Sequence, residues 1–211
     1  MGFFDMFRRP APIRDGAALA DFIDRNAAFV VQKGIYEYAR ARAGHYAKAV
    51  FREAEFQAAC DRARWTAYPL GLAMVAEVVD GALDGSREWD RETGSRAIRD
   101  LALGIFDRYP VPAALGAETW QGLRADLDRR LQAFALHPPK RAMDVPEPYA
   151  AAYFDLMPIH KDVRTRDAPT TRNYLRVTLC NVHAELVERV DRAAVAGSLG
   201  ACPPRESGAK S

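Results

Sequence analysis

Cysteine is scarce in this chain of 211 residues, and its three copies lie far apart in the sequence. Cys60, Cys180 and Cys202 form no C-x-x-C pair, so nothing indicates a zinc ribbon or a disulfide framework. Scattered single cysteines are typical of free thiols in a reducing compartment. We therefore expect a cytoplasmic protein.

The chain also lacks an excess of charge of either sign. Its 30 lysine and arginine residues nearly balance its 28 aspartate and glutamate residues, which gives a formal net charge of +2. This balance argues against a nucleic-acid-binding protein that depends on bulk positive charge. No stretch offers the ~20 uncharged apolar residues that a transmembrane helix needs. The first residues do not follow the order of a secretory signal peptide either.

Signatures of the common catalytic and cofactor sites are missing. The sequence contains neither the G-x-x-x-x-G-K-[ST] phosphate loop nor the G-x-G-x-x-G dinucleotide loop. It has no pair of Glu-x-x-His segments for a di-iron bundle. His183 and Glu185 match the H-x-E of zinc deaminases, but the P-C-x-x-C that completes that site is absent. We predict no metal site and no cofactor.

The most apolar segment covers 65–83 and carries two carboxylates, Glu77 and Asp80, one helical turn apart. Apolar residues recur at three- and four-residue steps in several other segments, whereas no alternating strand pattern occurs. A segment as apolar as 65–83 is typical of a helix at the centre of a protein. The sequence therefore predicts an all-α fold, an irregular bundle of about seven helices around a central apolar helix.

The domain organisation that we expect is simple. A single helical domain covers 15–192, and an N-terminal tail over 1–14 precedes it. A C-terminal tail over 193–211, rich in Gly, Pro and Ser towards its end, is predicted to be disordered.

Glycine and proline mark the expected divisions inside the domain. Gly34 predicts a stop between two helices over 15–33 and 35–50, or a bend in one helix. Pro69 predicts a kink or a break in the central helix, because proline removes a backbone donor and clashes with the preceding turn. Four prolines in 137–148 predict an extended linker that is partly polyproline II.

The first candidate binding residues lie near the end of the first helical pattern. Arg42 falls within an apolar stripe, and His45 lies beside it. A buried guanidinium requires an acidic partner or an anionic ligand, and Glu77 and Asp80 are natural internal partners. Nearby aromatic residues form either core or the wall of a pocket for a flat or acyl ligand. They are Tyr36, Tyr38, Tyr46, Trp65 and Tyr68.

The last long helix carries the second candidate group. Arg172, Arg176 and His183 project on one side of it, beside the apolar stripe. Two guanidinium groups and an imidazole suit a phosphate or a carboxylate. The same pattern also fits a solvent-exposed flank of the helix, where the apolar stems of long side chains cover the core and their charged ends reach water.

These residues predict a soluble helical ligand-binding or adaptor protein. Its ligand would be a small anionic or amphipathic molecule, or an acidic segment of a partner protein. The expected site is a groove between segment 35–50, the central helix and the last helix. One alternative is a small hydrolase in which Cys180, or a serine or threonine hydroxyl, pairs with His183 or His45. Another is a peripheral membrane protein held by residues 3–9, which are apolar and basic.

Three stretches together resemble a group of uncharacterised all-helical bacterial proteins of about this length. They are FRRPAPIRD at 7–15, HPPKRAMDVPEP at 137–148 and PTTRNYLRVTLCNVH at 169–183. Some of those proteins carry the label esterase. The resemblance implies a bacterial source and supplies no catalytic residue at any position of this sequence.

Overall fold

The computed structural model describes residues 11–164 and 166–201, and helices dominate them. Apart from a single bridge between Ile13 and Val190, these residues form no β-structure, so the predicted all-α bundle is confirmed. Eight α-helices follow one another: α1 (Gly16–Ala43), α2 (Ala47–Val50), α3 (Ala54–Leu83), α4 (Arg91–Asp107), α5 (Ala117–Ala135), α6 (Ala150–Asp155), α7 (Ala168–Arg189) and α8 (Arg192–Ser198). Short 3-10 turns cover Gly44–Tyr46 and Lys161–Val163.

Helix α3 is the centre of the bundle, as the apolar segment predicts. Every residue over 67–80 is buried, because α1, α4, α5 and α7 all pack against this helix. Among the described residues, α3 alone has the length and composition that could cross a membrane, and 89% of that window is buried inside the protein. Pro69 lies inside α3 without dividing it. Burial on all sides holds the helix together despite the missing backbone donor.

Helices α1 and α3 pack closely as antiparallel neighbours joined by a short connection. The closest approach is at Gly71, where a Cβ atom would lie 2.7 Å from Val31 Cγ2 and 2.9 Å from the Ala27 carbonyl oxygen. Glycine is required there because any side chain would separate the two helices. This contact sets the register of the two longest helices.

Helix α1 passes through Gly34 without a stop and ends at Ala43, and the 3-10 turn and α2 cover the rest of the second predicted segment. Gly34 is instead a second point of close approach. A Cβ atom there would lie 2.6 Å from Tyr174 Cε1 and would also collide with the Tyr153 hydroxyl. The glycine makes room for two tyrosine rings and does not end the helix.

The proline-rich linker is not extended over its second half, where turns occupy 142–149. Val145 is fully buried, and the Pro146 carbonyl accepts hydrogen bonds from the Tyr149 and Ala150 N–H groups at 2.9 and 2.8 Å. The linker folds over α3 because burial of Val145 favours a compact path over a solvated polyproline one.

Both predicted tails are shorter than expected. Residues 193–201 were predicted to be disordered, but they belong to α8 and a packed turn in which Val195 and Ala201 are fully buried. At the other end, Ile13 is 1% exposed and its N–H donates to the Arg189 carbonyl at 2.9 Å. Burial of these apolar side chains explains both corrections. Residues 202–211, and 1–10 with the candidate membrane segment 3–9, lie outside the described residues.

Candidate functional site

A cleft of about 330 Å³ opens between α3, the linker and α7. Its wall consists of Val78, Gly81, Lys140, Arg141, Ala142, Met143, Cys180 and His183. We call it the basic cleft. The linker passes beside α3 at Gly81, where a Cβ atom would be in ordinary contact with the Lys140 carbonyl oxygen at 3.5 Å. On α7, Cys180 and His183 face the cleft from positions three residues apart.

Basic side chains outnumber carboxylates around this cleft. Lys140 Nζ donates to Glu77 at 2.8 Å, and Arg141 Nε donates to Asp144 at 2.7 Å. The Arg141 guanidinium lowers the pKa of Asp144, which keeps that carboxylate charged. Arg176 Nε donates to a neutral acceptor, the Met143 carbonyl, at 3.1 Å. Lys140 and Arg141 in the wall each contact one carboxylate, and Arg176 beside the wall adds a third cation, which contacts no carboxylate among the described residues.

Glu77 holds Lys140 in position. Its side chain is only 4% exposed, and besides Lys140 it accepts a hydrogen bond from the Tyr149 hydroxyl at 3.1 Å. Burial, and then the Glu77 charge, raise the pKa of Tyr149, so the hydroxyl stays protonated and can donate. His137 Nε2 lies 3.7 Å from the same carboxylate. Glu77 thus connects α3 to both ends of the linker.

Asp80 faces α4 and not the cleft. It is 2% exposed and accepts a hydrogen bond from Ser95 Oγ at 2.6 Å, with Arg91 Nη1 at 3.6 Å. Burial raises the pKa of Asp80, and the Ser95 hydrogen bond and the Arg91 charge oppose that rise. Asp80 therefore ties α3 to the first turn of α4.

The prediction that Glu77 and Asp80 pair with Arg42 was wrong. Arg42 pairs instead with Asp167, just before α7, and its side chain is 33% exposed. The register of the helices explains the error. Arg42 and Glu77 lie on opposite sides of the contact at Gly71, so they are separated by about 28 Å along the antiparallel pair at 1.5 Å per residue.

The remaining predicted residues do not share one groove. His45 is exposed in the 3-10 turn after α1. Arg172 Nε lies 3.7 Å from Glu147 Oε2 on the outside of the bundle. Arg176 contacts the linker at the basic cleft, and His183 lines that cleft. The predicted groove is divided, because Arg42 and His45 belong to the other end of the bundle.

The predicted Cys–His pair lies in the basic cleft. Cys180 is exposed and His183 is half-buried. Within 11–164 and 166–201, no hydrogen bond joins the Cys180 thiol to the His183 ring, and none joins a carboxylate to that ring. Cys60 is 1% exposed, and burial raises its pKa to about 11, which keeps it a protonated thiol. The part of the chain described also contains no group of three or more His, Cys, Asp or Glu residues that could hold a metal ion.

The predicted aromatic group is dispersed. Trp65 and Tyr68 pack edge-to-face with Tyr109, whereas Tyr46 is 76% exposed. Tyr38 instead borders a separate pocket of about 210 Å³ between α1, α6 and α7. Its wall is Gly34, Glu37, Tyr38, Ala41, Tyr153, Thr170, Thr171 and Tyr174, and we call it the tyrosine pocket.

The sequence did not identify Lys140 and Arg141 as residues of the basic cleft. It also did not identify Tyr153 and Tyr174 as residues of the tyrosine pocket. The only available signal was the glycine at 34 inside an otherwise regular helical pattern.

Comparison with protein-family models, with curated proteins and with solved structures finds no match to this chain. Function must therefore be inferred from the chemistry of the sites themselves.

Proposed function

We propose that this protein binds a small anionic ligand, one that carries a carboxylate or phosphate group, in the basic cleft. The observation that supports this proposal is the excess of cations there. Lys140, Arg141 and His183 line the cleft, Arg176 contacts its wall at Met143, and the contacting carboxylates are Glu77 and Asp144.

The donors at the cleft are suited to an anion. Arg176 uses its Nε–H on the Met143 carbonyl, and its terminal N–H groups can donate to two oxygen atoms of one carboxylate or phosphate. Lys140 has three N–H donors, so it can keep its bond to Glu77 and donate to a ligand as well.

The size and the remaining wall of the cleft favour a small amphipathic molecule over an acidic segment of a partner protein. A volume of about 330 Å³ is at the lower end for small-molecule sites. Val78, Ala142 and Met143 supply an apolar surface for the body of the ligand. An exposed free thiol at Cys180 supports a reducing compartment, and we propose a cytoplasmic location on that ground.

Isothermal titration calorimetry with phenyl phosphate, succinate and inorganic phosphate tests the proposal. We expect at least one of them to bind, and Arg176→Gln or Arg141→Gln to weaken binding about tenfold, because each removes a charge-assisted hydrogen bond. Arg129→Gln is the matched control, since Asp126 is the one partner of Arg129 among the described residues, on the exposed face of α5. It should leave the affinity unchanged.

Alkylation of Cys180 by iodoacetamide locates the bound anion. Cys180 is exposed in the cleft wall, so a saturating ligand should slow its modification, which peptide mass spectrometry measures separately from the other cysteines. The proposal fails if none of the three anions binds, if Arg176→Gln binds as well as the original chain, or if Cys180 reacts equally fast with and without the ligand.

A further inference from the structure

The linker and α7 run in opposite directions beside the basic cleft. Arg176, in the first half of α7, donates through Nε to the Met143 carbonyl at 3.1 Å. His183, further along α7, lines the cleft with Lys140, which precedes Met143 in the linker. The cleft therefore extends along α7 from the turn of Arg176 to the turn of His183.

Two side chains beside the cleft keep polar atoms that have no partner and that a ligand can reach. Lys140 and Arg141 are engaged, since each contacts a carboxylate. The terminal N–H groups of Arg176 and both ring nitrogens of His183 make no hydrogen bond to any described residue, and none of them is a buried unpaired atom. Both side chains are half-buried, so solvent still reaches these atoms. Arg176 and His183 are therefore the groups with which a ligand can pair.

The spacing of these two groups sets the length of the ligand. His183 follows Arg176 by about two helical turns, so both lie on one side of α7, about 10 Å apart along its axis. The bond to the Met143 carbonyl holds the Arg176 guanidinium at its own end of the cleft. A single carboxylate or phosphate group would contact one of the two side chains, whereas a molecule with an anionic group at each end contacts both. Val78 and Ala142 in the wall suit the methylene groups between those ends.

His183 can match the second negative charge of such a ligand by taking up a proton. Imidazole changes its charge between about pH 5 and 8. The charged and titratable groups around the ring come from the three elements that form the cleft. They are Lys140, Arg141 and Asp144 from the linker, Arg176 and Cys180 from α7, and Glu77 from α3. Both carboxylates of this set accept from cations of the linker, so the carboxylate of a ligand would supply the opposite charge that stabilises a protonated ring.

We infer that the basic cleft is selective for dicarboxylates, which place one carboxylate on Arg176 and the other on His183, and that binding adds a proton to His183. This inference rests on the function proposed above and names both the ligand class and its regulation. Because the protonated ring is the form that binds, the affinity should increase as pH falls from about 8.5 to about 6.5, a range in which carboxylates stay ionised.

Isothermal titration calorimetry of the full chain with succinate, adipate and butyrate tests the ligand class. Butyrate matches succinate in length and lacks its second carboxylate. At pH 6.5 we expect succinate or adipate to bind at least about threefold more tightly than butyrate, because the second carboxylate adds a charge-assisted hydrogen bond. A smaller ratio for both dicarboxylates overturns the inference.

The same titration in two buffers of different ionisation enthalpy, at pH 7.5, measures the protons taken up on binding. The original chain should take up a fraction of one proton with the better dicarboxylate. His183→Gln keeps a side-chain donor and cannot titrate, so it should show no such uptake, bind more weakly and lose the pH dependence. His45→Gln is the matched control, since His45 is exposed at the other end of the bundle, and it should change none of these values.

The outcomes separate this inference from the function on which it rests. If none of phenyl phosphate, inorganic phosphate, succinate and adipate binds, the proposed anion site fails and the inference fails with it. If one of them binds, but dicarboxylates have no advantage over butyrate or the proton uptake persists in His183→Gln, the anion site stands and this inference alone is overturned.

Discussion

The contact between α1 and α3 at Gly71 predicts an unusual result for a glycine-to-alanine change inside a helix. Alanine normally stabilises a helix interior by about 1 kcal/mol relative to glycine. At Gly71, however, the new Cβ atom would lie 2.9 Å from the Ala27 carbonyl oxygen and 2.7 Å from Val31 Cγ2. Ordinary carbon contacts need about 3.5 Å, so the two helices must move apart by several tenths of an ångström.

We expect Gly71→Ala to lower the free energy of unfolding by up to about 2 kcal/mol. Overpacking of a rigid core costs about 1–3 kcal/mol, and the gain in helix propensity offsets about 1 kcal/mol of that cost. For a chain of this size, a loss of about 2 kcal/mol corresponds to a decrease in Tm of about 4–8 °C. Urea unfolding followed by far-UV circular dichroism gives the free energy directly.

Gly104→Ala is the matched control. Gly104 also lies inside a helix, but it is exposed and no atom would lie within 4 Å of its new Cβ. This variant should be more stable than the original chain by up to about 1 kcal/mol. If Gly71→Ala proves as stabilising as Gly104→Ala, then α1 and α3 do not pack as described.

Three further predictions concern the buried acids and thiols. Lys140→Met should cost about 2 kcal/mol in urea unfolding at pH 7, because it leaves the buried Glu77 carboxylate without its cation. Burial raises the native pKa of Asp80 above 3.8, so the native state binds more protons than the unfolded state just above that pH. The original chain should therefore lose stability relative to Asp80→Asn as pH rises through this range, and equal slopes would contradict the assignment. Iodoacetamide should modify Cys180 in the folded protein but Cys60 only after unfolding, which peptide mass spectrometry distinguishes.

The sequence was sufficient to predict the central helix. A segment as apolar as 65–83 has only one stable place in a helical protein, which is the middle. Its two carboxylates were predicted to partner Arg42, but Lys140 and Tyr149 contact Glu77, and Ser95 contacts Asp80. The prediction of the central helix succeeds because it depends on local periodicity and composition.

The identity of those partners could not be predicted. Arg42 lies within an apolar stripe of α1, yet the direction in which α1 and α3 run past each other decides which acid it can reach. That register depends on the close contact at Gly71, which no pattern within a single helix reveals. The prediction of an extended linker was wrong for a similar reason. Four prolines favour an extended chain locally, but the burial of one side chain, Val145, folds it over α3.

Glu77 links the stability of the bundle to the proposed anion site. Glu77 holds Lys140 at the basic cleft, so a bound anion has to share the Lys140 ammonium with a carboxylate that is 4% exposed. If the ligand drew Lys140 away, the buried Glu77 carboxylate would lose part of the stabilisation that the Lys140 ammonium provides. This cost reduces the affinity of the cleft for the ligand. A ligand that leaves the bond between Lys140 and Glu77 intact, and takes its main contacts from Arg141 and Arg176, avoids that cost. The cleft should therefore favour anions that bind on the linker side over those that must reach down to α3.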